Sequence, residues 1–361
     1  MERAWKFGLV GVGGLNRARA YTHNPRVQVT AICDVDAAQL VRVQRVFELP
    51  DSACYTDFQD LLASNCDVVV VATPIKFHAQ QIRDALVAGK HVLSEVTLGN
   101  TVEECLQVLS AVQRAKTQFM LAENYIYFRY IQDWGNLIRS GRLGDIFHME
   151  AEYVHEIRHL LRNPQTGEEY WRDSRPPIHY PTHCLGPTLY FLPGDRIVRA
   201  LGIGRQQRIN PAGGRGWIDM QMGIFETANG VSIKILRSQS APREPHVVHY
   251  AVYGTQGYVE NGKLGYNTKG LIYVQGESEF AEGSKIIDCD PVDPVSPPEA
   301  RQGGHGSSEY YLLQDFLTAL DRDTTPPIDI YKGLEMCIPG LLAHQSAMEG
   351  SRWIDVPDFR S

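Results

Sequence analysis

The chain has 361 residues, 43% of them hydrophobic and 21% charged, with a formal net charge of -7. That length sets the expectation of two domains with ample core, and the negative balance excludes a polyanion partner such as nucleic acid, which wants a basic face. Cys33, Cys54, Cys66, Cys105, Cys184, Cys289 and Cys337 are scattered with no C-x-x-C, so neither a disulfide framework nor a metal site is expected.

Residues 6–20, KFGLVGVGGLNRARA, open with an apolar run broken at Gly11, Gly13 and Gly14, then pass into an Arg- and Ala-rich segment. The pattern predicts a strand, a tight turn and a helix N-terminus, where bare N–H groups and the helix dipole receive a pyrophosphate. Leu15 and Asn16 complete the turn, Asn16 standing where G-x-G-x-x-G has its third glycine. A second apolar run, 27–33, ends at Asp34, placed to accept hydrogen bonds from an adenosine ribose. Val35 and Asp36 follow instead of Arg or Ser, so a 2′-phosphate would meet a carboxylate and NAD is favoured over NADP.

Helical spacing recurs at 37–47 and 56–62, and 66–72 (CDVVVVA) reads as a fully buried strand. Thr73 and Pro74 end that strand; a helix follows at 80–88, then the strand HVLSEV from His91 to Val96. Thr101 caps the next helix with Glu104 in capping-box position, and 118–122 and 127–139 add a strand and a helix. This alternation means a doubly wound parallel sheet.

Strand signals then come without helices between them, at 146–156, 197–204, 217–226, 231–236, 247–252 and 271–274, which implies an antiparallel sheet. Late amphipathic helices fall at 307–320 and 333–347, a short strand at 353–357, and 279–303 reads as a surface loop. The expected architecture is α/β: an N-terminal Rossmann doubly wound sheet over 1–124, and a C-terminal α+β domain over 125–361 with a large, mostly antiparallel open sheet. The late helices, about 307–349, are expected to pack back on the chain.

The nucleotide half, the TPIKFH loop, GKHVLSE and the late PPIDIYKGLE, SAMEG and WIDVP segments together resemble the glucose-fructose oxidoreductase / inositol dehydrogenase (Gfo/Idh/MocA) family. The resemblance implies NAD(P), a sugar-like substrate, and a homodimer or homotetramer formed through the open sheet face. By family position Thr73, Pro74 and His78 line the nicotinamide side, Glu95 the ribose, and Asn124 the same cofactor. Family dehydrogenases carry a lysine where this chain has Val96, which has no titratable group.

Glu95-Val96, Glu123-Asn124, Tyr153 and Tyr180-Pro181-Thr182-His183 are similar to the NAD-dependent glycoside hydrolase branch typified by bacterial α-N-acetylgalactosaminidases, and Gly304-His305-Gly306 looks like its glycine-histidine loop. The resemblance implies a catalytic set of His183, Tyr180, Tyr153 and Glu123. Such an enzyme oxidises the sugar at C3, eliminates across C1 and C2, adds water and re-reduces, with no net redox change. A neutral imidazole suits His183 to the C3 hydroxyl proton. His179, four residues before it, and His305 are expected on the substrate side.

The segment 158–175 leaves two readings open. Arg158 and its neighbouring arginines, with Trp171, bind an anionic or bulky sugar, or they pair with Glu168, Glu169 and Asp173 on a solvated loop. An ordinary NAD-dependent sugar or polyol dehydrogenase is the alternative activity. With residues 1–6 running straight into a strand, and no run of membrane-spanning length, a cytoplasmic protein is expected.

Overall fold

The computed structural model describes residues 3–14, 24–266 and 268–360. The chain divides into two units, one of Met1–Tyr127 with Val292–Leu334 and one of Phe128–Pro291 with Glu335–Ser361.

Among the described residues the first unit holds six strands, β1 (Trp5–Val10), β2 (Val27–Cys33), β3 (Cys54–Tyr55), β4 (Val68–Val71), β5 (His91–Ser94) and β6 (Phe119–Leu121). All pair in parallel in the order β3-β2-β1-β4-β5-β6, the doubly wound order the alternation implied. Each valine of β4 is 2% exposed or less, as a strand covered on both faces requires.

Of the helices α1 (Ala37–Phe47), α2 (Phe58–Ala63), α3 (His78–Val87) and α4 (Val102–Arg114), α1, α2 and α4 begin where the sequence supplies side-chain partners for bare N–H groups. Asp36 accepts from Ala38 N at 2.8 Å, and Asp57 from Gln59 N at 2.8 Å. Thr101 Oγ1 accepts from Glu104 N at 3.1 Å while Glu104 Oε2 reaches back to Asn100 N at 2.6 Å.

Residues 292–334 lie with the first unit, whereas the sequence reading placed all of 125–361 in one domain. The cause is α7 (Ser308–Arg322), whose apolar stripe buries Leu312, Leu313, Phe316, Leu317 and Leu320. Polar ties fix it: Trp5 Nε1 donates to Asp321 at 2.9 Å and the Tyr127 hydroxyl to Asp315 at 2.9 Å.

The second unit is built on a nine-stranded sheet of β7 (Ile146–Val154), β8 (Ile197–Ile203), β9 (Gln221–Thr227), β10 (Ser232–Ser238), β11 (Val247–Gly254), β12 (Gly257–Asn261), β13 (Thr268–Val274), β14 (Lys285–Cys289) and β15 (Ile354–Asp355). The order is β14-β13-β12-β11-β7-β10-β9-β8-β15; β7 and β10 run parallel and the other described pairs antiparallel. Two strands of this sheet escaped the sequence reading, as did the short β3 of the first unit. β12 closes a short hairpin with β11, and β14 lies within the stretch read as a loop. β14 is an edge strand with Lys285, Ile286 and Asp288 exposed, so no alternating apolar pattern announces it.

Helices α5 (Arg129–Arg139), α6 (Thr182–Tyr190) and α8 (Ile330–Met348) complete the chain. Within the second unit α8 comes so close to β8 that a Cβ added at Gly202 would stand 1.7 Å from the Ala343 carbonyl oxygen. The Gly202 N–H donates to Ser346 Oγ at 3.1 Å. Among the described residues no helix is long and apolar enough to cross a membrane.

Candidate active site

The ends of β1, β2 and β4 assemble the expected nucleotide residues of the first unit. Gly11 has φ +83°, and a Cβ there would lie 2.5 Å from the Thr73 backbone nitrogen, so only glycine lets the two strand ends approach this closely. Asp34 follows β2, and its carboxylate accepts from Gly13 N at 3.2 Å and Asp36 N at 3.0 Å. Those two bonds orient it beside the turn. No described atom stands within 4 Å of a Cβ built on Gly13, which leaves a cradle next to the backbone N–H groups. An oriented acid, a close-approach glycine and an open glycine turn fit a dinucleotide. Gly14 ends the same short 3-10 turn; Leu15 and Asn16 lie outside the described residues.

The remaining first-unit candidates are held by local bonds. Thr73 Oγ1 donates to Gln81 Oε1 at 2.6 Å, and Pro74 leads into a 3-10 turn. His78, expected against the nicotinamide, is 1% exposed with its ring nitrogens 2.7 Å from the Thr97 and Thr73 carbonyl oxygens. Both nitrogens are thus turned to backbone, and the ring ties together the loops after β4 and β5. Glu95 is half-buried and its N–H donates to Val71 O at 2.9 Å; Val96, where family dehydrogenases have a lysine, is buried. Glu123 is fully buried and accepts from Tyr125 N at 3.0 Å.

Asn124 and His305 meet through Ser308, whose Oγ takes a hydrogen bond from Asn124 Nδ2 at 3.2 Å and donates to the His305 carbonyl at 2.8 Å. The His305 ring lies 2.6 Å from Glu309 Oε1. Burial raises the pKa of Glu309, but the His305 hydrogen bond and charge outweigh it and hold the carboxyl below its ordinary value.

In the second unit Tyr153, Tyr180 and His183 come together. The His183 ring is 5.4 Å from Tyr153 and 5.0 Å from Tyr180, both edge to face. α6 begins at Thr182 and presents His183 in its first turn, with the His183 carbonyl held by the Tyr250 hydroxyl. Sheet register supplies a residue the sequence reading did not single out. Arg237 on β10 stands opposite Tyr153 on β7, its guanidinium 4.3 Å from the Tyr153 ring centre and 5.6 Å from that of Tyr180. Arg237 is buried and donates to the Pro177 carbonyl at 3.3 Å and the Tyr153 carbonyl at 3.1 Å.

The segment 158–175 divides between its two readings. Arg158 is exposed and paired with Glu156 at 2.6 Å, and Arg162 pairs with Glu169 at 2.7 Å. Trp171 carries Arg172 over its ring at 4.2 Å. Arg175 turns inward instead, its guanidinium 5.2 Å from the Tyr180 ring centre and bonded to the His179 carbonyl. Burial brings that guanidinium down to about 9, which leaves it charged at neutral pH.

His179 does not join the Tyr153–Tyr180–His183 group; its ring meets His344 of α8 at 4.7 Å. Burial, then His344, Arg175 and Arg215, hold His179 well below the ordinary histidine range, and burial with Arg215 brings His344 down to about 4.

Comparison with known proteins agrees with both halves. Residues 5–123 match the model of the oxidoreductase family with an NAD-binding Rossmann fold, Gfo/Idh/MocA, and residues 215–361 match that of the glycosyl hydrolase 109 C-terminal domain. The chain is 29% identical to the alpha-N-acetylgalactosaminidase of Shewanella oneidensis, over 98% of this chain and 84% of that protein. Its fold is similar to an oxidoreductase domain protein from Kribbella flavida, with TM-score 0.82, 22% identity and coverage of 99% and 100% of the two chains. It is also similar to a levoglucosan dehydrogenase solved with NADH and L-sorbose, with TM-score 0.83, 18% identity and coverage of 99% and 100%. The chain is thus similar to the Gfo/Idh/MocA oxidoreductase family over its NAD-binding Rossmann domain and to glycosyl hydrolase 109 proteins over its C-terminal part.

Proposed function

We propose that the protein is an NAD-dependent glycoside hydrolase that cleaves a sugar glycoside with no net redox change. The observation that carries this reading is the meeting of Tyr153, Tyr180 and His183, three rings with exchangeable protons, beside the buried charge of Arg237. Ordinary glycosidases rely on two carboxylates flanking the bond, and NAD-dependent enzymes are the exception.

In this reading the first unit holds the cofactor and the second the sugar. Gly11, Gly13, Gly14 and Asp34 hold the dinucleotide, with Thr73, Pro74, Glu95 and Asn124 at the strand ends around it, and His78 shapes their loops. When bound, NAD supplies a reversible oxidation at the sugar C3 that makes the C2 proton acidic. His183 takes the C3 hydroxyl proton on a ring nitrogen and later returns it. Tyr153 moves the C2 proton and Tyr180 serves the leaving oxygen, while Glu123 is the catalytic candidate that the first unit carries. Val96 supports hydrolysis over net dehydrogenation, because the lysine that family dehydrogenases use is missing. We extend the proposal to a homodimer or homotetramer through the open face of the larger sheet, where His148, Glu150 and Lys234 stand half-buried. A monomer in sedimentation would refute that part.

The test uses purified protein, NAD+ and nitrophenyl glycosides of N-acetylhexosamines, neutral sugars and uronic acids in deuterated water. Aglycone release that requires NAD+, deuterium at C2 and no net NADH is the expected result. NADH accumulating from free sugars without aglycone release would replace the reading with a sugar dehydrogenase.

A further inference from the structure

Just past the end of β7, His155 sits two residues beyond Tyr153, on the same side of the strand. Its backbone N–H donates to the Ser238 carbonyl at 3.0 Å, which continues the β7–β10 pairing and fixes where the ring projects. The imidazole Nδ1 then lies 2.9 Å from the Tyr153 hydroxyl oxygen, with the two ring centres 5.5 Å apart. His155 is half-buried. On the other flank Arg237 stacks on the Tyr153 ring, and its hydrogen bonds to two backbone carbonyls hold the guanidinium still.

We propose that His155 is the proton relay of Tyr153: Nδ1 takes the phenol proton, the ring passes a proton to solvent, and the same path returns one when the cycle closes. The proposal rests on the glycosidase reading, and it makes His155 a positioning residue that acts on the reaction through Tyr153 alone. In the forward step the Tyr153 O–H bond breaks, the electron pair stays on Oη, and an N–H bond forms at Nδ1. The imidazolium then loses its Nε2 proton to water. The phenolate removes the C2 proton of the 3-keto sugar, the C–H pair enters the C1–C2 bond, and the C1 substituent leaves with its own bonding pair and takes the Tyr180 proton. On return, after the relay has exchanged the Tyr153 proton with solvent, water adds its hydroxyl at C1, its other proton goes back to Tyr180, and the phenol gives C2 a solvent-derived proton.

The surroundings suit a relay. His155 is faced by His246 from the segment before β11 at 5.1 Å between ring centres, by Arg237 from β10, His183 from α6 and His159 from the 158–160 turn. Burial first, then the electrostatic influence of His246, Arg237, His183 and His159, brings His155 down to about 4. At neutral pH the imidazole is neutral, its acceptor is free for the phenol, and a proton passed to it moves on instead of being trapped.

The experiment reads deuterium at C2 of the released sugar, in deuterated water with NAD+ and a nitrophenyl glycoside the wild type accepts. The wild type is expected to give nearly complete C2 deuteration. His155→Phe should lose about a hundredfold in turnover and retain protium at C2, because the abstracted proton returns before it can exchange, and added imidazole should restore exchange. His155→Asn keeps an acceptor near the Nδ1 position but cannot carry a proton. It should fold as the wild type does and still retain protium. Wild-type levels of deuterium and turnover in His155→Asn would overturn the relay. In cofactor-free protein, the 15N resonance of His155 Nδ1 should shift on Tyr153→Phe; an unchanged resonance would overturn the hydrogen bond on which the relay depends. A wild type that releases no aglycone removes the glycosidase reading and the relay chemistry with it. An active wild type with an unaffected His155→Asn removes the relay alone.

Discussion

His344 lends itself to a quantitative test. It lies 6% exposed on α8, with Nδ1 facing Gln221 Nε2 at 3.0 Å and, among the described residues, no hydrogen-bond partner for Nε2. Burial, and then Arg215, is the physical cause of the depressed pKa, and a charged imidazole there would also have its second N–H buried without an acceptor. A fall from 6.5 to about 4, at about 1.4 kcal/mol per unit, is worth about 3 kcal/mol. The folded ring binds fewer protons than the unfolded one between those two values. The stability it lends is therefore complete above the unfolded pKa of 6.5 and lost as pH falls toward 4. His344→Asn retains an acceptor for Gln221 but cannot titrate. Urea unfolding at pH 7.5, 6 and 5, read by tryptophan fluorescence, should show the variant about 1–2 kcal/mol less stable at pH 7.5 from lost packing. Its acid slope should be shallower than that of the wild type by up to about 1.4 kcal/mol per pH unit. Equal acid slopes in the two proteins would refute the claim that His344 is neutral in the fold.

Three further outcomes follow from the geometry. Asp34→Ser should weaken NAD binding by about tenfold to a hundredfold, the worth of a charge-assisted hydrogen bond of about 1.5–3 kcal/mol, and narrow the preference against NADP. Calorimetric titration with both nucleotides checks it, and an unchanged ratio would place the ribose elsewhere. Gly202→Ala puts a methyl where the Ala343 carbonyl oxygen stands 1.7 Å away. It should cost about 3 kcal/mol or more as β8 and α8 are pushed apart, and an unaltered thermal midpoint would contradict that approach. His183→Ala and Tyr180→Phe should each reduce aglycone release by about a hundredfold to ten-thousandfold with NAD affinity retained by fluorescence titration. Turnover close to wild type would take either residue out of the reaction.

What the sequence determined by itself is what depends on near neighbours. The glycine turn at Gly11–Gly14, the position of Asp34 after β2, the all-valine β4 and the Thr101–Glu104 cap each express a rule spanning a few residues, and the structure has these local features in place. The meeting of Tyr180 with His183 was legible for the same reason, since they stand three positions apart across a helix start. Tertiary structure decided the rest. Arg237 reaches Tyr153 because β10 returns beside β7 in one particular register, and a shift by one residue would turn its side chain to the other face. His179 meets His344 across most of the second unit, and 292–334 return to the first because α7 offers a long apolar stripe and Asp321 and Asp315 find distant donors. β14 had no signature to read: an edge strand buries little, so its backbone pairing with β13 alone defines it. Local chemistry states which groups a chain carries, and long-range burial and register choose which of them face one another.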